Sequence, residues 1–322
     1  HVKLMSFVLQ STPDEGNFEY LWGIVPYVVV GFWSPLPLNI IERNGSWVSG
    51  YSQMAPTLYT MEHFCTKNGK LPENDEKFVD KSRWLKSAGV SGRSDIINLC
   101  VDREPRFYAW MAFDGGEYTQ QLVNGKSLQL NMKSSSRQGR NPQVNRNYSP
   151  TGFLSKKFVE PDLSFTSESG GEGNNVNYPV PLFRLAELYL NRAECYAALD
   201  MTKEALADIN TIRRRAGVTE LKESDLKVMS LMDWVRNERF VELWGEGHRY
   251  YDVRRWMIAP DNLKAGVREG LNVLEKYDPS FDEFNVRTRI NQPFMWDNRM
   301  YLLPVYADEV YSNPQMIQAP GY

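Results

Sequence analysis

Between Glu238 and Arg255 the sequence concentrates groups that could do acid–base or metal chemistry: Glu238, Arg239, Glu242, Glu246, His248, Arg249, Asp252, Arg254 and Arg255. Carboxylates spaced this closely beside a histidine are what a hydrolytic or metal site would use. Ion pairing accounts for the same residues more simply. Glu238 and Glu242 are four residues apart and share one helix face. Arg239, Arg249, Arg254 and Arg255 follow closely, so the expectation is a structural cluster in which these charges pair with one another.

A glycoside hydrolase would need two carboxylates across a cleft, and Asp102, Glu104, Asp114 and Glu117 are available near an expected hairpin. A chain with 40 acidic residues supplies such pairs by chance. The three histidines, His1, His63 and His248, are too dispersed for a paired-histidine zinc motif. There is no Gly-x-Ser-x-Gly elbow and no phosphate-cradling glycine loop between strand and helix. No catalytic residue, no metal and no cofactor is therefore expected.

Aromatic rings in loops offer a different chemistry. Trp22, Tyr27, Trp33, Trp47 and Tyr51 lie in a stretch punctuated by glycine and proline. Flat rings held there can stack on the apolar faces of sugars while Asn39, Asn44 and Arg43 bond to hydroxyls. Trp33 and Trp47 lead the candidate ligand-binding set, because flanking prolines and glycines hold rings at a surface. Trp22, Tyr51 and Tyr118 follow, with Asn44 and Arg43 as polar partners.

The elements that must position these residues divide the chain in two. Pro13, Gly16, Gly23, Pro26, Gly31, Pro35, Pro37 and Gly45 exclude a long helix from 11 to 50. A short helix is expected from Thr57, and a β-hairpin from Phe107–Phe113 and Glu117–Val123 with turns at Gly115-Gly116 and Asn124-Gly125. The polar stretches 131–150 and 166–177 are expected to be exposed loops. From Pro181 to Leu199 the pattern is a strong helix, and a second runs from Thr202, as N-cap, to Arg215 with Gly217 as the stop. Tyr189, Ala193, Tyr196, Ala205, Ile209 and Ile212 fall at the packing positions of a tetratricopeptide-like helix pair. Such a pair needs neighbouring helices to bury its faces. Further helices are expected at Leu231–Trp244, with Ser230 and Asp233 in a capping box, and at His248–Trp256, followed by a short strand at Tyr301–Leu303.

The balance of 37 basic and 40 acidic residues gives no broad attraction to nucleic acid or anionic lipid. No apolar run approaches the roughly 20 residues of a membrane helix. The odd set Cys65, Cys100 and Cys195 has no Cys-x-x-Cys spacing and is expected to be three small buried hydrophobes.

These segments, in this order, resemble the SusD/RagB family. Val235 to Trp256, with Glu238-Arg239, Glu242-Leu243, Glu246-Gly247-His248-Arg249, Asp252-Val253 and Arg254-Arg255, is similar to that family's ERxxEL helix followed by EGHRxxDLRR. Pro181 to Glu194 resembles its RxAExxLxxAEA helix. Asp102 to Arg106 resembles RDPR, with Glu104 where Asp is usual, and Pro56-Thr57 with Asn68-Gly69 resembles its PT…DG segment. The closing Gln318-Ala319-Pro320-Gly321-Tyr322 matches too, with Ala319 in place of Asn. The resemblance spans roughly Pro56 to Tyr322. It implies a mainly α fold, a tetratricopeptide-like helical scaffold with an irregular, loop-rich ligand-binding region and short β-hairpins. Residues 1–178 would form the irregular region and 179–322 the helical one, with leader, lipid-bearing cysteine and first repeats outside this chain. It further implies a non-catalytic glycan-binding protein, lipid-anchored at the outer face of an outer membrane, with a SusC-like TonB-dependent transporter barrel as partner. Two other readings stay open, a peptide-binding relative and a hydrolase on a similar scaffold.

Overall fold

The computed structural model describes residues 1–27, 33–90, 95–143, 145–168, 178–263, 267–290 and 295–322. Short elements fill the first half: α1 (Val2–Ser6), β1 (Tyr20–Tyr27), β2 (Ile41–Arg43), β3 (Ser46–Val48), α2 (Leu58–His63), α3 (Pro105–Trp110), β4 (Met111–Phe113), β5 (Glu117–Val123), β6 (Lys126–Gln129), β7 (Phe153–Ser155) and β8 (Tyr178–Arg184). Longer helices follow, α4 (Leu185–Ala198), α5 (Thr202–Ala216), α6 (Leu231–Glu242), α7 (His248–Arg255) and α8 (Ala259–Leu263). The chain then closes through β9 (Glu269–Gly270), α9 (Phe281–Phe284), β10 (Thr288–Arg289) and α10 (Ala307–Ser312). The fold is helix-rich, with 35% helix and 15% strand. Among the described residues the strands form two-stranded antiparallel ribbons (β1–β8, β2–β3, β4–β7, β5–β6 and β9–β10) and no larger sheet.

Turn chemistry sets these ribbons. Asn44 and Gly45 both take positive φ, 48° and 77°, the conformation a two-residue turn needs to match strand twist, and they close β2 onto β3. Asn124 and Gly125, at 50° and 71°, close β5 onto β6 in the same way. The first strand expected before that hairpin is replaced by α3, because Pro105 at the first helical position presets φ and starts a helix that lasts to Trp110. Only 111–113 remains extended, and it pairs with β7. The helix expected from Pro181 starts at Leu185 instead. Pro179 and Pro181 keep the chain extended there, in register with β1. Met201, not Thr202, occupies the cap of α5, while Gly217 ends that helix in the left-handed conformation at φ 73°. Ser230 accepts the Asp233 N–H and donates to the Asp233 carboxylate, forming the start of α6. Residues 301–303 are not a strand, because the Asp297 carboxylate accepts the Arg299 N–H and winds Asn298–Tyr301 into a 3₁₀ turn.

Helices α4 and α5 form a hairpin, and α6 packs across α4. Ala193 and Ala205 are fully buried, so the two backbones approach closely, and Ile209 and Ile212 fill the seam. Tyr189 and Tyr196 are only partly buried, with the Arg192 guanidinium 5.5 and 5.9 Å from their rings. One hydrophobic cluster runs from Met5 through Trp110 and Trp234 to Phe284, drawing on both halves of the chain.

The cysteines divide. Cys65 and Cys100 are buried, and burial pushes the Cys65 thiol up to about 12 and raises that of Cys100 as well. Cys195, expected to be buried, is exposed on the outer side of α4. A chromogenic disulfide reagent at neutral pH should therefore titrate one thiol quickly and the other two only on unfolding. Rapid reaction of all three in the native protein would contradict the burial of Cys65 and Cys100.

Candidate functional site

The charge cluster around α6 and α7 is structural, as expected, but its pairing differs. Glu238 and Glu242 face inward, 1% and 0% exposed, and their cations come from distant elements. Arg106 of α3 reaches Glu104 at 2.8 Å, Glu238 at 2.6 Å and Glu242 at 3.0 Å. Arg184 and Arg215 each meet Glu242 at 2.7 Å, and Arg213 meets Glu238 at 3.2 Å. Glu246 holds Arg184 and the buried Lys157, each at 2.6 Å. Burial works against a charged Glu242, yet the guanidiniums of Arg215, Arg184 and Arg106 outweigh it and hold its carboxyl well below the usual range. Within the motif, Arg239 and Arg255 pair with Asp252. Arg249 and Arg254 lie over rings instead, 4.5 Å from Phe240 and 3.6 Å from Tyr250. The expectation that all these charges pair among themselves is thus corrected: a helix face turned into the core meets whatever cations the packing elements supply.

Three of the four carboxylates considered for hydrolysis are also held in structural bonds, and the fourth, Glu117, is exposed at the start of β5. Glu104 accepts from Arg106 and from the Cys65 N–H, Asp102 meets Lys67 at 3.0 Å, and Asp114 takes Lys133 and the Met132 N–H. Among the described residues no group of three or more His, Cys, Asp or Glu side chains is placed to hold a metal ion.

The aromatic candidates separate into four environments. Trp47 stands on β3, 37% exposed, directly opposite Glu42 of β2, so both side chains share one face of the hairpin. Arg43, opposite Ser46, lies on the other face and donates through Nε to the Thr166 carbonyl at 2.6 Å. Asn44 is the exposed turn residue, and its positive φ gives it a conformational role. Segment 33–38 runs back along 50–53, where Tyr51 N–H donates to Trp33 O and Ser52 N–H to Leu36 O, both at 2.9 Å. Trp33 is half-buried with its ring 5.6 Å from Phe165, while Tyr51 is 43% exposed. Trp22 is far out on the β1–β8 ribbon, 62% exposed and stacked 5.8 Å from Phe183 at 9°. Tyr118 leaves the surface set. It is fully buried, with its hydroxyl 2.7 Å from Pro35 O and 3.1 Å from Ser155 O, and it ties the hairpin's base to β7. The Tyr27 side chain and residues 169–177 of the second expected loop lie outside the described residues.

The first expected loop contributes what the sequence reading missed. Gln138 is buried, donates to Asn39 O at 2.9 Å and accepts the Asn131 N–H at 3.0 Å. Ser135 donates its N–H and hydroxyl to Asp278 at 2.6 and 2.7 Å. Asn39, expected to bond to sugar, is itself buried and bonded to Ser49 and the Ser136 carbonyl. The loop is thus clamped between the hairpin and the segment before α9. It lays Arg137 5.7 Å from the Trp47 ring and Arg140 4.4 Å from the Tyr277 ring. The available signal was compositional: 131–150 holds Lys133, Arg137, Arg140 and Arg146 and no acidic residue.

The residues build a helix-rich scaffold fastened by a buried charge cluster, with rings and guanidiniums presented on clamped loops. The chain belongs to the SusD family, whose sequence model matches residues 30–322. It superposes on a solved structure named BT4246 with a TM-score of 0.95 at 51% identity, over 100% of this chain and 53% of that one. It therefore spans about half the length of that relative. The starch-binding protein SusD of Bacteroides thetaiotaomicron is 33% identical over 113 residues, 33% of this chain and 19% of that protein. A SusD-like protein of Bacteroides fragilis, BF3747, shares the fold at 22% identity and TM-score 0.73, over 99% of this chain and 57% of that one.

Proposed function

We propose that this chain is part of a non-catalytic cell-surface protein that captures glycans and delivers them to a TonB-dependent β-barrel of the outer membrane. Membrane attachment through a lipid anchor belongs to this reading on the strength of the family assignment. The family assignment supports this, and a curated relative is itself named for starch binding. The observation that carries the reading is Trp47. An indole kept 37% exposed on a two-residue hairpin, beside the Arg137 guanidinium, presents an apolar face and hydrogen-bond donors together. That combination is what a sugar ring with its hydroxyl rim requires. Tyr51 and Trp33 on the same arm extend the surface, Arg43 being turned to the other face of the hairpin, and the Trp22–Phe183 stack is a second ring platform on a separate ribbon. Helices α4 and α5 serve, in this reading, as one tetratricopeptide-like unit of a longer stack.

Calorimetric titration against polysaccharides and oligopeptides tests the reading. Saturable glycan binding should weaken at least tenfold in Trp47→Ala, on the order of the loss of one well-placed aromatic contact. The thermal midpoint should be unchanged. Binding of peptides with no response to any glycan would move the chain to the peptide-capturing reading.

A further inference from the structure

The surface around Trp47 carries more positive charge than a neutral sugar needs. Segment 131–150 holds four cations and no carboxylate, in a chain whose formal charge is −3. Lys133 is neutralised by Asp114. Arg137 has no ion pair among the described residues, and its guanidinium lies at the Trp47 ring. Arg140 is fixed by neutral acceptors, donating to Asn145 Oδ1 at 2.9 Å and Leu274 O at 2.6 Å, with Tyr277 beneath it. Three residues apart on a clamped loop, the two forks are held in place by ring faces and carbonyls, so their charge is not cancelled by carboxylates. Of the acids on the adjoining segments, Asp278 is occupied by Ser135, Glu275 accepts from Asn272, and Glu42 stands on the same face as Trp47.

We propose that this surface selects an acidic glycan, one whose carboxylate or sulfate groups lie against the guanidiniums of Arg137 and Arg140 while a sugar ring lies on Trp47. The inference rests on the glycan-capture reading and adds the substrate class. Planar guanidiniums suit both anions, since each presents paired oxygens to the fork. Glu42 sets an upper limit on acceptance, because its carboxylate faces the same ligand and opposes it.

The test uses the full chain and four probes in calorimetry at low and high salt: polygalacturonate for carboxylate, dextran sulfate for sulfate, dextran as neutral polymer, and polyglutamate as an anion without sugar. The acidic glycans should bind at least tenfold more tightly than dextran, and the preference should shrink as salt screens it. Arg137→Met with Arg140→Met should remove that preference at unchanged thermal midpoint, and Glu42→Gln should strengthen acidic-glycan binding severalfold without altering dextran. The response to carboxylate against sulfate names the anion. Equal binding of dextran and the acidic polymers, or no effect of the arginine pair, overturns the acidic selection while leaving glycan capture standing. Polyglutamate binding as tightly as the acidic glycans overturns it too, as mere charge attraction. Failure of all three polysaccharides strikes the glycan reading itself.

Discussion

Arg106→Met lowers the folding free energy by about 3–5 kcal/mol, the cost of removing one partner from a buried charge cluster. The guanidinium is fully buried and serves Glu104, Glu238 and Glu242. Without it, Glu238 keeps Arg213 and Glu242 keeps Arg184 and Arg215, while Glu104 is left with the Cys65 N–H. Most of the loss is therefore a stranded Glu104 charge. Adding Glu104→Gln to the variant should restore about 1–2 kcal/mol, the coupling expected of directly bonded neighbours. Urea midpoints of the wild type, both single variants and the double variant measure this. A loss below about 1 kcal/mol for Arg106→Met would mean that the cluster contributes little once desolvation is counted.

The same cluster fixes the acid limb of stability. Burial raises the pKa of both Glu242 and Glu246, but the Arg215, Arg184 and Arg106 guanidiniums beside Glu242, and Arg184 with the Lys157 ammonium beside Glu246, bring the folded values below normal. A carboxyl with a depressed folded pKa stabilises fully above its unfolded value, about 4.3, and loses that contribution as pH falls toward the folded value. The wild type should thus keep its stability down to about pH 5 and lose it steeply below about pH 4.

This cluster also explains what was legible in the sequence. The motif stretches 102–106, 181–194 and 235–256 looked like separate signatures, yet in the structure they meet. Arg106, Arg184, Glu238, Glu242 and Glu246 bond to one another, and Glu194 receives Arg255 beside Asp252. Arg103 donates to Met61 O and Phe64 O at 2.6 Å and so stops the end of α2. Pairs of oppositely charged buried residues restrict each other strongly, and that makes them recognisable as patterns. Their partners across the fold were not legible, because a helix-face rule gives the direction of a side chain and not what packs there. The site was legible only in part. Gly45 was read only as a helix breaker and Asn44 only as a polar ligand partner, although the pair closes the hairpin that carries Trp47, and ring exposure depends on neighbours far along the chain. Tyr118 shares the composition of a surface tyrosine and is fully buried by Pro35 and β7. Arg137 and Arg140 sat in a stretch whose polarity suggested a free loop, while the buried Gln138 that clamps it resembles any other polar residue.

Gly50→Ala should be the most damaging single-methyl change near the site, costing about 1–3 kcal/mol as overpacking does and weakening ligand binding without touching ligand. Gly50 follows β3 where the arm folds back on itself, its N–H donating to Pro37 O at 2.8 Å. A Cβ there would lie 2.3 Å from Leu36 O and 2.4 Å from Leu36 Cβ. Backbone cannot rotate away as a flexible side chain can, so segment 33–38 must move off 50–53. The bonds from Tyr51 N–H to Trp33 O and from Ser52 N–H to Leu36 O lengthen with it. Leu36 is fully buried and Tyr118 bonds the neighbouring Pro35 carbonyl, so the displacement reaches the core and the base of the hairpin together. Trp47 and Tyr51 then lose their fixed relation, and a platform of rings binds only while its geometry is held in advance. Urea denaturation and titration with the tightest probe should both respond, whereas Gly45→Asn, at a turn position with open space around its Cβ, should leave binding intact. Unchanged stability and binding in Gly50→Ala would show that the arm tolerates separation and that Trp47 acts alone.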